Sequence, residues 1–425
     1  MSLTHAQLAT VAREMLLCGH LIDRVTMPHV LGTWDREAMR DIAIDEWMGA
    51  SPIYTRRTQA LLGIEDDGVA AIFKAMQFDI GAPPQFMDFR YTVHDADHGE
   101  FYLEHCGALM DVEPMGPEYV FTMCHDIEDP TFDATAWATN PRARMRPIHR
   151  PPRTPADRHP HCAWTVTIDA DAPPLPEPEM ATLVATTKAA QIPLAEAAPD
   201  GAGDDGVTDY AGPLLGDVDF TAFSSVTLAA LIEEICLQQH LLALAGLASV
   251  AGRFGIDAAR GIGHHQLIGA AGVTAERLHA AVGLGRSLTD LAEVFGIHPL
   301  FRPHAYVTAT TEIDADTLHI DLADCPALHE DPLLSWPMLL LLDEPTALEV
   351  IAQAVDPTLR VEQIEPREGA TASFVVRGGA TPARRHADVE FARFSTGADF
   401  AFSDEGTRVR LRARRARPTD RRAPV

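Results

Sequence analysis

Apolar residues recur at three- and four-residue spacing through the first part of the chain. This spacing places apolar side chains on one face of an α-helix. We therefore predict several helices up to about Lys74, with helix ends at Gly49 and Gly63. The pattern opens with Leu8, Val11, Met15 and Leu16.

The pattern changes after Pro83 and Pro84. Short apolar and polar alternations then surround the turn sequence HDADHG, which is typical of a β-hairpin. Helices are predicted over 107–123 and 129–139, followed by two further strands with the sequences RARMRPIH and CAWTVTID. Helices, a hairpin, helices and a hairpin in this order indicate an α+β domain with a small antiparallel sheet.

The chain repeats itself after about 220 residues. EMLLCGHLI, which starts at Glu14, aligns with EICLQQHLL, which starts at Glu234. The same offset pairs Arg57 with Arg277, and an offset of 219 pairs Cys106 with Cys325. A series of matches in one register indicates two copies of one domain.

We therefore predict an α+β tandem duplication, in which each copy has a helical part before its sheet. A winged-helix-like unit is one interpretation of this helical part. The first copy covers 1–171, and a Pro/Ala/Asp/Gly-rich linker covers 172–220. The second copy covers 221–404, and an arginine-rich tail covers 405–425.

The formal net charge of −27 combines two opposite regions. The last 18 residues contain eight Arg and one Asp, which gives +7 and leaves −34 on the rest of the chain. An acidic body repels nucleic acid and anionic membrane, so we expect neither as a partner of the body. The tail is expected to solvate the terminus, to fold back on the body or to contact an acidic partner, and a homo-oligomer stays open.

Targeting and spanning segments are not evident in the sequence. The first 17 residues carry helical periodicity rather than a basic segment before an apolar one, and the longest uncharged apolar stretches are short or interrupted. We therefore expect a cytoplasmic protein, in which the six cysteines are thiols or metal ligands rather than a disulfide framework.

Three of the cysteines lie in the second half of the first copy. Cys106 lies where a predicted strand meets a helix, a position expected to lower its thiol pKa, while Cys124 ends that helix and Cys162 opens the last strand. Three interpretations stay open for them: a site for a thiophilic metal, a nucleophilic cysteine with a general base, or separate buried apolar residues.

Comparison with the second copy favours the functional interpretations over separate buried residues. It keeps a cysteine only at Cys325, while the positions of Cys124 and Cys162 fall in the leucine run 339–342 and near Ser373. A polar cluster in one copy and apolar residues in the other indicate one functional copy and one structural copy. We therefore place the functional site in the first copy.

The motifs HCGALMDVEP, FTMCHDIEDPTF, RARMRPIHRPP and HPHCAWTVTID together resemble the L-2-amino-thiazoline-4-carboxylic acid hydrolase-like family. The resemblance covers about 85–170 and, faintly, 305–380. It implies hydrolytic opening of a small cyclic C–N or C–S compound that bears a carboxylate. Carried over to this chain, it implies a site formed by Cys106, Cys124, Asp126 and Cys162.

In such a site a thiolate or a metal-bound hydroxide attacks the ring carbon, while a nearby side chain moves the proton. The predicted catalytic residues are Cys106, Asp126 and His125. The predicted ligands of Zn²⁺ or another thiophilic divalent metal are Cys106, Cys124, Cys162 and His161.

Three arginines alternate along a predicted strand and therefore share a face. They are candidates for holding the substrate carboxylate, and a solvated sheet face that balances the acidic body is the alternative. These residues are Arg142, Arg144 and Arg146.

A second function class stays open, namely a sensor or carrier of a metal, a haem or a small hydrophobic ligand, without catalysis. A scaffold that uses the tail to hold a partner is a third.

His20 and His240 are predicted to be buried core histidines, and His264 and His265 to lie at a solvated helix start.

Overall fold

The computed structural model describes residues 3–196, 206–216, 218–342 and 345–393. The predicted tail 405–425 and the end of the predicted second copy lie outside the described residues. Within these ranges the chain is an α+β protein with a repeated two-part layout, as the sequence predicts.

The first copy begins with two long helices and ends with a sheet. Its elements are α1 (His5–Thr33), α2 (Arg36–Leu61), α3 (Val69–Met76), β1 (Met87–Val93), β2 (His98–Cys106), α4 (Gly107–Val112), α5 (Pro117–Phe121), α6 (Glu128–Thr139), β3 (Ala143–His149) and β4 (Cys162–Ile168).

Two short helices, α7 (Glu179–Val184) and α8 (Lys188–Gln191), lie in the predicted linker. The second copy comprises α9 (Ser225–Phe254), α10 (Ile256–Val282), α11 (Leu288–Ile297), β5 (Ala309–Asp314), β6 (Thr317–Leu322), α12 (Trp336–Leu342), α13 (Thr346–Val355), β7 (Leu359–Ile364) and β8 (Ala372–Gly378). Helix α14 (Ala387–Arg393) follows it.

The two sheets are antiparallel and share one topology. The strand order is β1-β2-β4-β3 in the first sheet and β5-β6-β8-β7 in the second. Leu103 faces Cys162 across the first sheet, and Leu322 faces Ala372 across the second. The same strand order and equivalent registers confirm the duplication.

The long helices of each copy pack mainly against the long helices of the other. Helix α2 packs on α9, and α1 packs on both α10 and α9. Gly49, which the sequence predicts at a helix end, instead lies inside α2. A Cβ at this position would come within 2.9 Å of the Cβ of Ala245, so glycine allows α2 to lie this close to α9. Gly269 meets Val25 in the same way, at 2.7 Å. These reciprocal close approaches show a two-fold relation between the copies.

Two buried ion pairs follow the same relation. Arg57 donates to both carboxylate oxygens of Glu234 at 2.7 Å, and Arg277 donates to Glu14 at 2.9 and 3.0 Å. The side chains of Glu14 and Glu234 are each 3% exposed. Each copy therefore supplies the buried carboxylate that the arginine of the other copy requires.

The linker segment is packed rather than free over much of its described length. Lys188 and Ala189 donate their backbone N–H groups to the buried carboxylate of Glu330, which also accepts from the hydroxyl of Tyr306. Helix α7 packs on α2, where Met180 meets Gly49.

Helix α9 is long and apolar enough to cross a membrane, although the sequence analysis does not single it out. However, 89% of its most apolar window is buried inside the protein. All six cysteines are buried and unpaired, which confirms that the chain has no disulfide framework.

The helix predicted over 107–123 is interrupted. A 3₁₀ turn at Glu113–Met115 follows α4, and Gly116 then adopts a φ of 119° that favours glycine. A π-helical turn, Thr122–Ile127, separates α5 from α6. Residues 107–127, here called the cover segment, are therefore a chain of short pieces.

Removing one carboxylate of the reciprocal pairs tests their role. We expect Glu234→Gln to destabilise the protein by about 3–5 kcal/mol, because it leaves Arg57 buried and uncompensated. The measurement is the midpoint of urea unfolding. The control is Glu362→Gln, which breaks an exposed pair with Arg377 and should change stability by under about 0.5 kcal/mol. Equal, small effects would contradict this role.

Candidate functional site

Cys106, Cys124 and Cys162 lie together in the core of the first copy. Cys106 ends β2 and Cys162 begins the neighbouring strand β4, while Cys124 lies on the π-helical turn of the cover segment. Their exposed fractions are 3%, 1% and 3%, and they share one apolar core with Met87 and Trp164. The structure therefore brings together the three cysteines that the sequence analysis selects.

Glu128 is the carboxylate that faces these sulfurs. It begins α6, four residues after Cys124, and its charge acts on the thiols of all three cysteines. Its Oε2 atom is buried and has no hydrogen-bond partner. Burial raises the pKa of Glu128 to about 8, against the opposing effect of Arg150.

The sequence analysis does not select Glu128, although one signal could have found it. Residues four apart lie on the same face of a helix, whereas residues two apart do not. Cys124 and Glu128 have the first spacing, and Cys124 and Asp126 have the second. The helical phase therefore favours Glu128 over Asp126.

The thiols are protonated in this environment. Burial raises the pKa of Cys106 to about 12, and the charge of Glu128 adds to that rise. The Sγ atom accepts the backbone N–H of Leu109 at 3.3 Å. This hydrogen bond lowers the pKa of Cys106, but by less than burial raises it. The predicted lowering of the Cys106 pKa is therefore wrong, because desolvation outweighs the backbone amides of a short helix.

His125 and Asp126 have their main interactions outside the sulfur cluster. His125 Nε2 lies 2.7 Å from the carbonyl oxygen of Pro151, and its ring stacks on Phe121 at 4.1 Å. Asp126 acts electrostatically on Arg40 of α2. His161, by contrast, lies beside the cluster, because its Nδ1 accepts the backbone N–H of Cys106 at 3.1 Å.

The three arginines do not line the cluster. Arg142 precedes β3, and Arg144 and Arg146 alternate with Met145, which is buried in the core that holds the cysteines. Arg146 donates to Asp133 at 2.9 Å, and Arg144 donates to backbone carbonyls. Arg150 is instead the arginine whose charge acts on Glu128 and Cys124.

The ligand atoms of the predicted metal site are not gathered as a coordination sphere. Across the described ranges, one group of three or more His, Cys, Asp or Glu side chains has all its ligand atoms within 4.8 Å of one another. It comprises His29, His265 and Asp388, and neither the cysteines nor His161 belong to it.

A second buried polar group lies next to the sulfur cluster. His20, which is buried as predicted, packs its ring 4.8 Å from that of Phe86, whose backbone carbonyl accepts the N–H of Gly107, beside Cys106. The Nδ1 of His20 has no hydrogen-bond partner. Burial and Arg24 lower the pKa of His20 to about 3. His20 is therefore neutral at pH 7.

Asp23 and Glu46 form a buried carboxyl pair in this second group. Both oxygens of Glu46 and Oδ1 of Asp23 lack partners if both groups are ionised. Burial raises the pKa of each, and the charge of Asp23 raises that of Glu46 further. A single proton shared between the two carboxyls joins two of these three oxygens. At the repeat offset, the second copy has Ala243 and Gln266 here.

The cover segment closes over this region. Asp111 forms an ion pair with Arg24 of α1. Arg153 donates bidentate hydrogen bonds to the carboxylate of Glu113 at 2.7 and 2.8 Å. The side chains of Met115 and Phe121, also in the cover segment, are exposed. The two ion pairs hold the cover segment against α1 and against the loop between β3 and β4.

The burial of Glu128 predicts a pH-dependent stability. The pKa of Glu128 rises from 4.5 to about 8 on folding. The stability that the protonated carboxyl contributes is therefore fully present below pH 4.5 and is lost as the pH rises toward 8. We expect Glu128→Gln, which cannot ionise, to gain a few kcal/mol over the wild type across this window. Urea unfolding at several pH values measures the difference. Asp126→Asn is the control, and a Glu128→Gln difference that stays constant with pH would contradict the assignment.

Comparison with protein-family models, with curated proteins and with solved structures finds no match to this chain. The resemblance to the L-2-amino-thiazoline-4-carboxylic acid hydrolase-like family therefore stays a prediction from the sequence motifs.

Proposed function

We propose that the first copy is a hydrolase that opens a small cyclic C–N or C–S compound bearing a carboxylate. The observation that carries the proposal is the buried carboxyl of Glu128, whose Oε2 has no hydrogen-bond partner, beside three thiols. Buried acids with a pKa near neutrality are typical of general acid–base catalysts. Within the described residues the second copy lacks two of the three sulfurs, since the leucine run 339–342 and Ala372 take the positions of Cys124 and Cys162.

In the proposed reaction the ionised form of Glu128, a minor fraction at pH 7, takes the proton of the Cys106 thiol as the sulfur attacks an electrophilic C=N carbon of the ring. The S–C bond forms, the π pair moves to nitrogen, and Glu128 returns the proton there. The ring C–N or C–S bond then breaks as a nitrogen lone pair re-forms the C=N bond, and the electron pair goes to the departing ring atom, which the incoming water protonates. Attack by water on the sulfur-bound carbon releases the opened product and restores the thiol.

Proton transfer in the first step is uphill, because burial raises the pKa of Cys106 above that of Glu128. The transfer neutralises Glu128 and so removes its charge from beside the forming thiolate, which partly offsets that cost.

Arg150 is our candidate for holding the substrate carboxylate. Its charge already acts on Glu128 and Cys124, and its guanidinium lies 5.8 Å from the centre of the Trp164 ring. Its partner Asp129 is 46% exposed and can exchange that contact for water when a substrate binds. This role replaces the one predicted for Arg142, Arg144 and Arg146.

The test measures hydrolysis of L-2-amino-thiazoline-4-carboxylate by the full chain. We expect Cys106→Ser and Glu128→Gln to lower kcat/KM by about 10²–10⁴-fold, because each removes a group that acts in the chemical step. Cys325→Ser is the matched control, since Cys325 holds the equivalent position in the second copy. It should leave kcat/KM unchanged.

Two results would overturn the proposal. Equal losses in Cys106→Ser and Cys325→Ser would show a structural effect rather than a catalytic one. Absence of turnover, with Zn²⁺ bound stoichiometrically and released by Cys124→Ser, would favour the alternative of a metal-binding sensor or carrier. The unpaired Oε2 of Glu128 is the observation that favours this alternative, because a cation among the sulfurs would also satisfy it.

A further inference from the structure

His29, His265 and Asp388 meet at the junction between the two copies, outside the proposed hydrolase site. They lie on α1, α10 and α14. His29 Nε2 is 3.1 Å from Asp388 Oδ1, and His265 Nδ1 is 3.0 Å from Asp388 Oδ2. Each oxygen of one carboxylate therefore faces the nitrogen of a different imidazole.

The three ligand atoms are close enough to share one ion. All of them lie within 4.8 Å of one another. Zn–N and Zn–O bonds of about 2.0–2.2 Å in a tetrahedron place neighbouring ligand atoms roughly 3.3 Å apart. The nitrogen–oxygen distances of 3.1 and 3.0 Å, one to each oxygen of Asp388, are near that value, and the remaining separations are at most 4.8 Å. Rotation of the two rings and the carboxylate would therefore bring one atom from each residue around a single ion.

The carboxylate of this group is buried, whereas the two imidazole rings are partly exposed to solvent. The two imidazole rings stack with centroids 4.1 Å apart and planes 11° apart. Asp388 is 7% exposed, whereas the side chains of His29 and His265 are 27% and 44% exposed. A buried carboxylate with two half-open imidazoles leaves space for water ligands, as in open two-histidine, one-carboxylate sites.

The duplication supplies an internal comparison. At the repeat offset His29 corresponds to Ser249 and His265 to Asp45. There, Asp45 accepts from the Ser249 hydroxyl and from Arg253, each at 2.7 Å. Arg253 balances the carboxylate at that end of the interface. At the other end two imidazoles surround Asp388 in place of a guanidinium.

From this geometry we infer that His29, His265 and Asp388 bind one divalent first-row transition metal ion of the Zn²⁺ class, with water completing the coordination. Imidazole and carboxylate donors suit Zn²⁺, Co²⁺, Ni²⁺ and Fe²⁺. His386 lies nearby, but its Nδ1 accepts the backbone N–H of Asp388 at 3.3 Å and is not one of the grouped ligand atoms. The ion ties α14 to the long helices α1 and α10, one from each copy.

Binding of Zn²⁺ to the metal-stripped full chain tests this inference. We expect one equivalent to bind at this site and to raise the unfolding temperature, since ligands that bind only the folded state stabilise it. His265→Gln and Asp388→Asn should each weaken binding at least about tenfold, as losses around a metal commonly do. His264→Gln, which changes the adjacent histidine, is the matched control and should bind normally.

Co²⁺ separates this site from the cysteine cluster. Visible absorption of bound Co²⁺ without a sulfur-to-cobalt charge-transfer band is expected, because the ligands are nitrogen and oxygen. Unchanged Zn²⁺ affinity in both His265→Gln and Asp388→Asn would overturn the inference, and a sulfur band that disappears in Cys106→Ser would then place the ion at the cysteines. The affinity measurement does not depend on hydrolase activity, so it tests this inference separately from the proposed function.

Discussion

The reciprocal ion pairs Glu14–Arg277 and Arg57–Glu234 are the contacts on which the architecture depends. A buried arginine without a carboxylate is costly, and here each carboxylate comes from the other copy. Neither copy can therefore bury its long helices alone. The close approach of Gly49 to Ala245, and of Gly269 to Val25, completes the same constraint. The duplicated chain behaves like a two-fold dimer joined into one polypeptide.

That scaffold allows the two copies to differ in chemistry. Among the described residues the second copy has one buried side-chain nitrogen or oxygen atom without a hydrogen-bond partner, Nδ1 of His319, while its His240 lies 2.9 and 2.8 Å from two backbone carbonyl oxygens. The first copy keeps unpartnered atoms on His20, Glu46 and Glu128. Such groups cost stability, and proteins tolerate them mainly where they serve a function. The asymmetry between equivalent positions supports a functional first copy more directly than any single residue does.

The two proposed sites use different donors in different places. Sulfur and a neutral carboxyl lie in the core of the first copy, away from water. Imidazole and an acidic side chain lie at the junction of the copies, partly open to solvent. The first environment favours proton transfer because charge is poorly solvated there, and the second favours a cation because water can complete its coordination.

The sequence by itself determined the α+β class and the duplication, because periodicity and register are local properties that a repeat reveals. It selected Cys106, Cys124 and Cys162 as candidates, but only the tertiary structure placed them in one core. Helical spacing favours Glu128 over Asp126, yet only the tertiary structure showed Glu128 buried beside the sulfurs, since no local pattern encodes what packs around it. The tertiary structure also reversed the expected pKa of Cys106, because desolvation depends on what packs around the thiol. His265, expected at a helix start, lies inside α10 and meets Asp388 from a distant helix. No local pattern encodes that proximity, because it arises from the packing of α14 against both copies.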